Sequence, residues 1–157
     1  MDHLWAPWRS TYIQREPKPG CIFCYAAQAQ SDEETFVVFR GTHNFVILNR
    51  YPYTSGHLMI APYAHASRLN QVEEASTAEM MALTRRAELI LEEVYKPGGL
   101  NLGMNLGEAA GAGIEEHIHL HVLPRWRGDA NFMTTVGNTR VLPEDLEETY
   151  KKLRGRF

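Results

Sequence analysis

Hydrophobic positions change their period along this chain, and the changes divide it into elements. TFVVFRG and NFVILNRY are short runs rich in β-branched and aromatic side chains, which predicts two strands joined by a hairpin connection at RGTHN. After the turn-forming PYTSG, the run HLMIAP predicts a third strand. From Ser76 to Tyr95 the period lengthens: Met80, Leu83, Ala87, Ile90 and Val94 recur at helical spacing. Ser76 and Glu79 read as a capping box at the start of this helix, and Pro97, Gly98 and Gly99 as its end. LNLGMNLG predicts a fourth strand weakened by its glycines, and HIHLHV a fifth. PEDLEETYKKLRGRF places acids first and bases last, the order that favours a C-terminal helix. Strands, a long helix and further strands together predict an α+β domain with an antiparallel sheet of about five strands.

In the fifth strand the alternation itself carries chemistry. His117, His119 and His121 alternate with Ile118, Leu120 and Val122, so on a strand the three imidazoles share one face, about 7 Å apart, and the aliphatics share the other. Taken alone, that face is open to three readings: the polar side of a half-buried strand, a set of metal ligands, or a nucleophile with helper histidines.

At 157 residues the chain fits one domain with a sizeable core, and no internal repeat or domain-sized linker divides it. A net charge of −3 gives no basis for nonspecific binding to nucleic-acid polymers. No apolar run reaches membrane-spanning length, and MDHLWAPWRSTYI lacks the layout of a signal peptide, so a cytoplasmic protein without membrane contact is expected. Both cysteines lie in one CxxC, Cys21 and Cys24. In a reducing compartment that spacing suggests a metal knuckle or a redox pair, with two ordinary buried thiols as the alternative. The early βαβ pattern expected around a redox pair is absent.

HIHLHVLPR resembles the signature of the histidine triad (HIT) family, three histidines separated by apolar residues, and other blocks agree in the family's order. FVILNRYPYTSGHLMIAP resembles its upstream hairpin, and NLGEAAGAG stands where the family has a glycine-rich phosphate loop. The flanking LWAPWRSTYI and PRWRGDANFM resemble, more narrowly, the bacterial diadenosine tetraphosphate phosphorylase branch. The resemblance implies a single HIT-like domain over 1–157, with an N-terminal arm to about residue 20 and a C-terminal extension from about residue 128. It also implies a homodimer or larger homo-oligomer.

The chemistry implied by the resemblance is transfer of a nucleotidyl group through a nucleotidyl-histidine intermediate. His119 becomes the nucleophile that attacks the α-phosphorus of a dinucleoside polyphosphate, with its second ring nitrogen held by a fixed acceptor such as a backbone carbonyl. His121 and His57 become donors to phosphate or to the departing oxygen. Asn49 takes the ribose, Ile47, Met59 and Phe23 border the base, and Asn105, Gly111, Ala112 and Gly113 form the phosphate loop. For Trp126, substrate cover and subunit contact both stay open. The resemblance further implies structural zinc on Cys21, Cys24, His65 and His117, with no organic cofactor.

One departure bears on the reaction. The commonest hydrolase pattern has Gly-Gln-Ser/Thr-Val just before the triad, whereas this chain reads Gly111-Ala112-Gly113-Ile114 and one extra residue. Without the glutamine amide there is room for inorganic phosphate as acceptor, although the serine that the phosphorylase branch tends to carry near Gly113 is also absent. Phosphorolysis is the expected activity. The alternatives are hydrolysis of the same substrates or of nucleoside phosphoramidates, and nucleotide binding or sensing with little turnover.

Overall fold

The structure, a computed structural model, describes residues 20–139 and 141–157. The arm sequence LWAPWRSTYI lies outside them. Two helices, α1 (Ile22–Gln28) and α2 (Asp32–Thr35), precede strands β1 (Val37–Arg40), β2 (Asn44–Leu48) and β3 (Leu58–Pro62). The long helix α3 (Glu74–Tyr95) leads to β4 (Gly99–Gly103) and β5 (Leu120–Arg125), followed by α4 (Phe132–Thr135) and α5 (Leu146–Leu153). The strands form one five-stranded sheet in the order β1-β2-β3-β5-β4, and every neighbouring pair is antiparallel.

Alternation assigns the two faces. Val46, Leu48, Leu58, Ile60, Leu120 and Val122 pack against Met80, Leu83, Ala87, Ile90 and Leu91 of α3 and against Tyr150 and Leu153 of α5. Phe45, Ile47, Met59 and Ala61 face the other way, onto Phe23 and Ala26 of α1. Each of these large side chains contributes about 1.5–3 kcal/mol on burial, so both layers hold the central strands in register. The histidine-bearing chain is thereby sandwiched between a helix-packed core and the short α1 layer.

The expected strands and both expected helices are present, but the start of α3 differs. It begins at Glu74, and its N-cap residue Glu73 makes no side-chain capping bond. Ser76 and Glu79 instead face the β1–β2 hairpin. Ser76 Oγ donates to Asn44 Oδ1 at 3.2 Å, and the Glu79 carboxylate accepts from the backbone N–H groups of Thr42, His43 and Asn44 at 2.7–2.8 Å. Three hairpin donors outcompete one helix terminus for that carboxylate, and their bonds pull its pKa below the usual range despite burial. Gly99, read as part of the helix stop, opens β4; the stop itself is Lys96 in the left-handed conformation at φ 46°. In the tail, Asp145 caps α5 by accepting from Glu148 N at 2.8 Å.

Candidate functional site

The paired strand begins only at Leu120, so His121 lies in the ladder while His117 and His119 precede it. The expected strand was longer. Beyond Ile60 the neighbouring strand runs into Ala61 and Pro62, and proline has no N–H to offer a partner. The Pro62 carbonyl binds a side chain, His117 Nε2, at 2.8 Å, and Ile118 N–H donates to Ala66 O. Alternation nevertheless persists. Ile118, Leu120 and Val122 are buried, while Phe23 packs on both His117 and His119 with ring centroids 5.2 and 4.7 Å away. His119 and His121 lie edge to face at 4.8 Å.

Hydrogen bonding sets which nitrogen of each ring is free. His119 Nδ1 lies 2.9 Å from the His117 carbonyl; a carbonyl only accepts, so Nδ1 carries the proton and Nε2 keeps its lone pair. The required acceptor is therefore the backbone of the preceding triad histidine. Along the next ring pair, Tyr53 N–H donates to His57 Nδ1 at 3.2 Å. That leaves the proton on His57 Nε2, which donates to His121 Nδ1 at 2.8 Å, and leaves His121 with a protonated Nε2. Both His57 nitrogens are thus engaged inside the protein and its side chain is 1 % exposed, so it reaches the site through His121 and not by contact of its own.

Burial is the leading cause holding all four rings neutral. Burial, then His121 and His119, push His57 down to about 3. Burial and His119 push His121 to about 4, and burial lowers His117 and His119 as well. Below the ordinary value of 6.5 the unfolded chain takes up protons that folded His57 and His121 refuse. Stability therefore falls as pH drops from about 6.5 toward 4, at about 1.4 kcal/mol per pH unit for each such histidine before coupling and screening reduce it. Urea unfolding at stepped pH should show this slope, and His57→Gln should flatten it; an unchanged slope would refute the assignment.

The other expected residues take varied positions. Ile47 and Met59 pair across β2 and β3 and are buried beside Phe23, which is itself fully covered. Phe23 therefore backs the histidine rings and does not border an open slot. Asn49 is half-buried; its side-chain oxygen accepts from Tyr51 N at 2.9 Å, and its amide lies 3.4 Å from His57 Nδ1. Asn105 follows β4 and is half-buried. In the loop after it, Gly111 N–H donates to Glu108 O and Ala112 N–H to Gly107 O, whereas Gly113 N–H has no backbone acceptor among the described residues. Of the three expected loop amides, two are thus engaged within the loop, and among the described residues that of Gly113 is not.

Two positioning arginines went unread in the sequence. Arg40 donates to the carbonyls of Ala26, Ala27 and Ala29 at the end of α1 and to Asp32. It thus ties down the helix that carries Phe23 and Cys24. Arg68 places its guanidinium over Gly107, where an added Cβ would meet it at 3.5 Å. Neither residue stands at a spacing that carries a signal.

Cys21, Cys24, His65 and His117 bring one ligand atom each within 4.8 Å of one another. Cys21 Sγ lies 3.4 Å and Cys24 Sγ 3.6 Å from His117 Nδ1, and Cys24 Sγ lies 3.2 Å from His65 Nδ1. A tetrahedral zinc with Zn–S of about 2.3 Å and Zn–N of about 2.0 Å has S···N edges near 3.5 Å, so these residues fit the ion. The bond from His117 Nε2–H to Pro62 O fixes the tautomer that turns Nδ1 toward the sulfurs. Burial and the adjacent Cys21 raise the Cys24 pKa, a penalty on the thiolate that a bound cation reverses.

The HIT domain profile matches residues 30–128. The AP-4-A phosphorylase of Mycobacterium tuberculosis is 41% identical over 161 residues, covering 98% of this chain and 83% of that protein. A zinc-bound histidine triad family protein from Mycobacterium smegmatis superposes with a TM-score of 0.70 at 30% identity, over 87% of this chain and 91% of the other. A histidine triad nucleotide-binding protein from Sulfolobus tokodaii has the same TM-score and coverage at 28% identity.

Proposed function

This chain belongs to the HIT family, and we propose that it is a nucleotidyl transferase that cleaves dinucleoside polyphosphates such as diadenosine tetraphosphate by phosphorolysis. The observation that carries the reading is the bond from His119 Nδ1–H to the His117 carbonyl at 2.9 Å. A buried neutral imidazole with its lone pair fixed on Nε2 needs neither deprotonation nor reorientation before attack.

His119 Nε2 attacks the α-phosphorus and forms a P–N bond as the bond to the bridging oxygen breaks. For diadenosine tetraphosphate the departing group is ATP, and His121 Nε2–H supplies its oxygen with a hydrogen bond or proton. His57, itself oriented by Tyr53 N–H, holds His121 in the donating tautomer. An oxygen of inorganic phosphate then attacks the adenylyl group, the P–N bond breaks and ADP leaves; the proton released by phosphate restores His121. Asn49 at the ribose and Gly113 N–H at phosphate complete the assignment. Small Ala112 and Gly113, in place of a glutamine amide, favour phosphate over water, as does similarity to a protein named AP-4-A phosphorylase.

Zinc on Cys21, Cys24, His65 and His117 is part of the proposal, and its contribution is structural: it ties the start of α1 to the triad. The outer edge of β4, which has no strand partner among the described residues, with Leu102 exposed, supports pairing of protomers through the sheet in a homodimer. No helix among the described residues is long and apolar enough to cross a membrane; we place the protein in the cytoplasm.

Incubating the protein with diadenosine tetraphosphate, with and without phosphate, tests the reaction. Phosphate-dependent formation of ADP plus ATP is expected. AMP plus ATP, or two ADP, would make the protein a hydrolase, and an absence of products would make it a nucleotide-binding protein.

A further inference from the structure

Beside the turn that carries Tyr53, Thr54 and Ser55 lies a cleft of about 390 Å³, lined also by Tyr95, Trp126, Arg127, Asn131 and Val141. It contains none of the triad histidines, and its volume falls within the range of small-molecule sites. Two features make it more than a gap between segments. Thr54 Oγ1 and Ser55 Oγ have no hydrogen-bond partner among the described residues although each residue is only 8 % exposed, and buried hydroxyls are rarely left so. The charges at the cleft are also unevenly satisfied.

Its carboxylates are already engaged. Asp129 is held by Arg125 at 2.6 and 2.9 Å, and Glu144 accepts from Tyr95 Oη and Thr149 Oγ1 and pairs with Lys152. Arg127 has no ion-pair or hydrogen-bond partner among the described residues. A free guanidinium, two unused hydroxyls and walls of tyrosine and tryptophan suit a ligand that joins an anionic group to a flat ring. A phosphorylated nucleoside has that composition.

The cleft also adjoins the reacting groups. The Tyr53 ring, part of the cleft wall, lies 4.7 Å from His57 and stacks 5.9 Å from His121. His121 is the group assigned to the departing oxygen. We propose that this cleft receives the departing nucleoside polyphosphate, with its phosphates at Arg127, Thr54 and Ser55 and its base against the aromatic walls. The inference rests on the reading of the triad as a dinucleoside polyphosphate transferase. It makes the C-terminal segment a determinant of substrate class: a second nucleoside gains binding that a small leaving group does not.

The test compares diadenosine tetraphosphate with adenosine 5′-phosphoramidate, which has no second nucleoside, on the full chain carrying Arg127→Gln or Thr54→Val. The ratio of kcat/KM values for the two substrates should fall at least about tenfold in Arg127→Gln, and in the same direction in Thr54→Val. An unchanged ratio in both variants overturns the inference while leaving the transferase reading intact. If either substrate is not turned over, calorimetric titration with ATP decides: two sites per chain, reduced to one in Arg127→Gln, supports the cleft, and the same number in both proteins overturns it.

Discussion

The His119→Ala protein is expected to fold and to lose turnover of diadenosine tetraphosphate by at least about four orders of magnitude, because no other group can form the covalent intermediate. His121 Nε2 is the nearest alternative, yet its proton occupies the nitrogen that would have to attack. Deletion also leaves the supporting bonds in place. His117 still binds Pro62 O, and His57 still donates to His121. The space vacated beside Phe23 costs a few kcal/mol at most. Steady-state kinetics together with thermal unfolding separates the two effects, and near-native activity in a folded variant would remove the assignment.

The second large effect concerns the metal. Protein purified without added metal should carry one zinc per chain by elemental analysis, and Cys24→Ala should carry none. With free zinc a thousandfold above its dissociation constant, binding stabilises the fold by about 4 kcal/mol, so chelation or Cys24→Ala should lower the melting temperature clearly. The consequence reaches the triad, because Phe23 stands between the two cysteines and packs on His119. Loss of the ion should loosen the start of α1, which Arg40 at its far end and the buried packing of Phe23 and Ala26 would then hold alone. A native chain without zinc and with an unchanged melting temperature would return the cysteines to the role of ordinary thiols.

What could be read before folding depended on whether the partner was near in sequence. Period alone located β2, β3 and the α3 face of Met80, Leu83, Ala87 and Ile90, because both alternatives, strand and helix, impose a local rhythm. The Ser76 and Glu79 pair has the spacing of a capping box, but its real partners, Thr42 to Asn44, lie more than thirty residues away, and spacing carries no information about them. The same limit applied to the triad. Alternation placed three rings on one face, but not the early end of the ladder at Pro62 or the engagement of both His57 nitrogens. For the candidate metal ligands, the CxxC spacing marked Cys21 and Cys24 and likeness of pattern added His65 and His117; their convergence within 4.8 Å is a property of the fold. Thr54, Ser55 and Arg127 gave no signal, since a cleft between distant loops has no period.

The central claim is that His119 carries the nucleotidyl group, and intact-protein mass spectrometry of a rapidly quenched reaction tests it most directly. With diadenosine tetraphosphate and no phosphate, the chain should gain one adenylyl group as one ATP is released. The adduct should map to His119, and phosphate should discharge it as ADP. Release of ATP at the full rate with no adduct, or an adduct that persists in His119→Ala, would contradict the account.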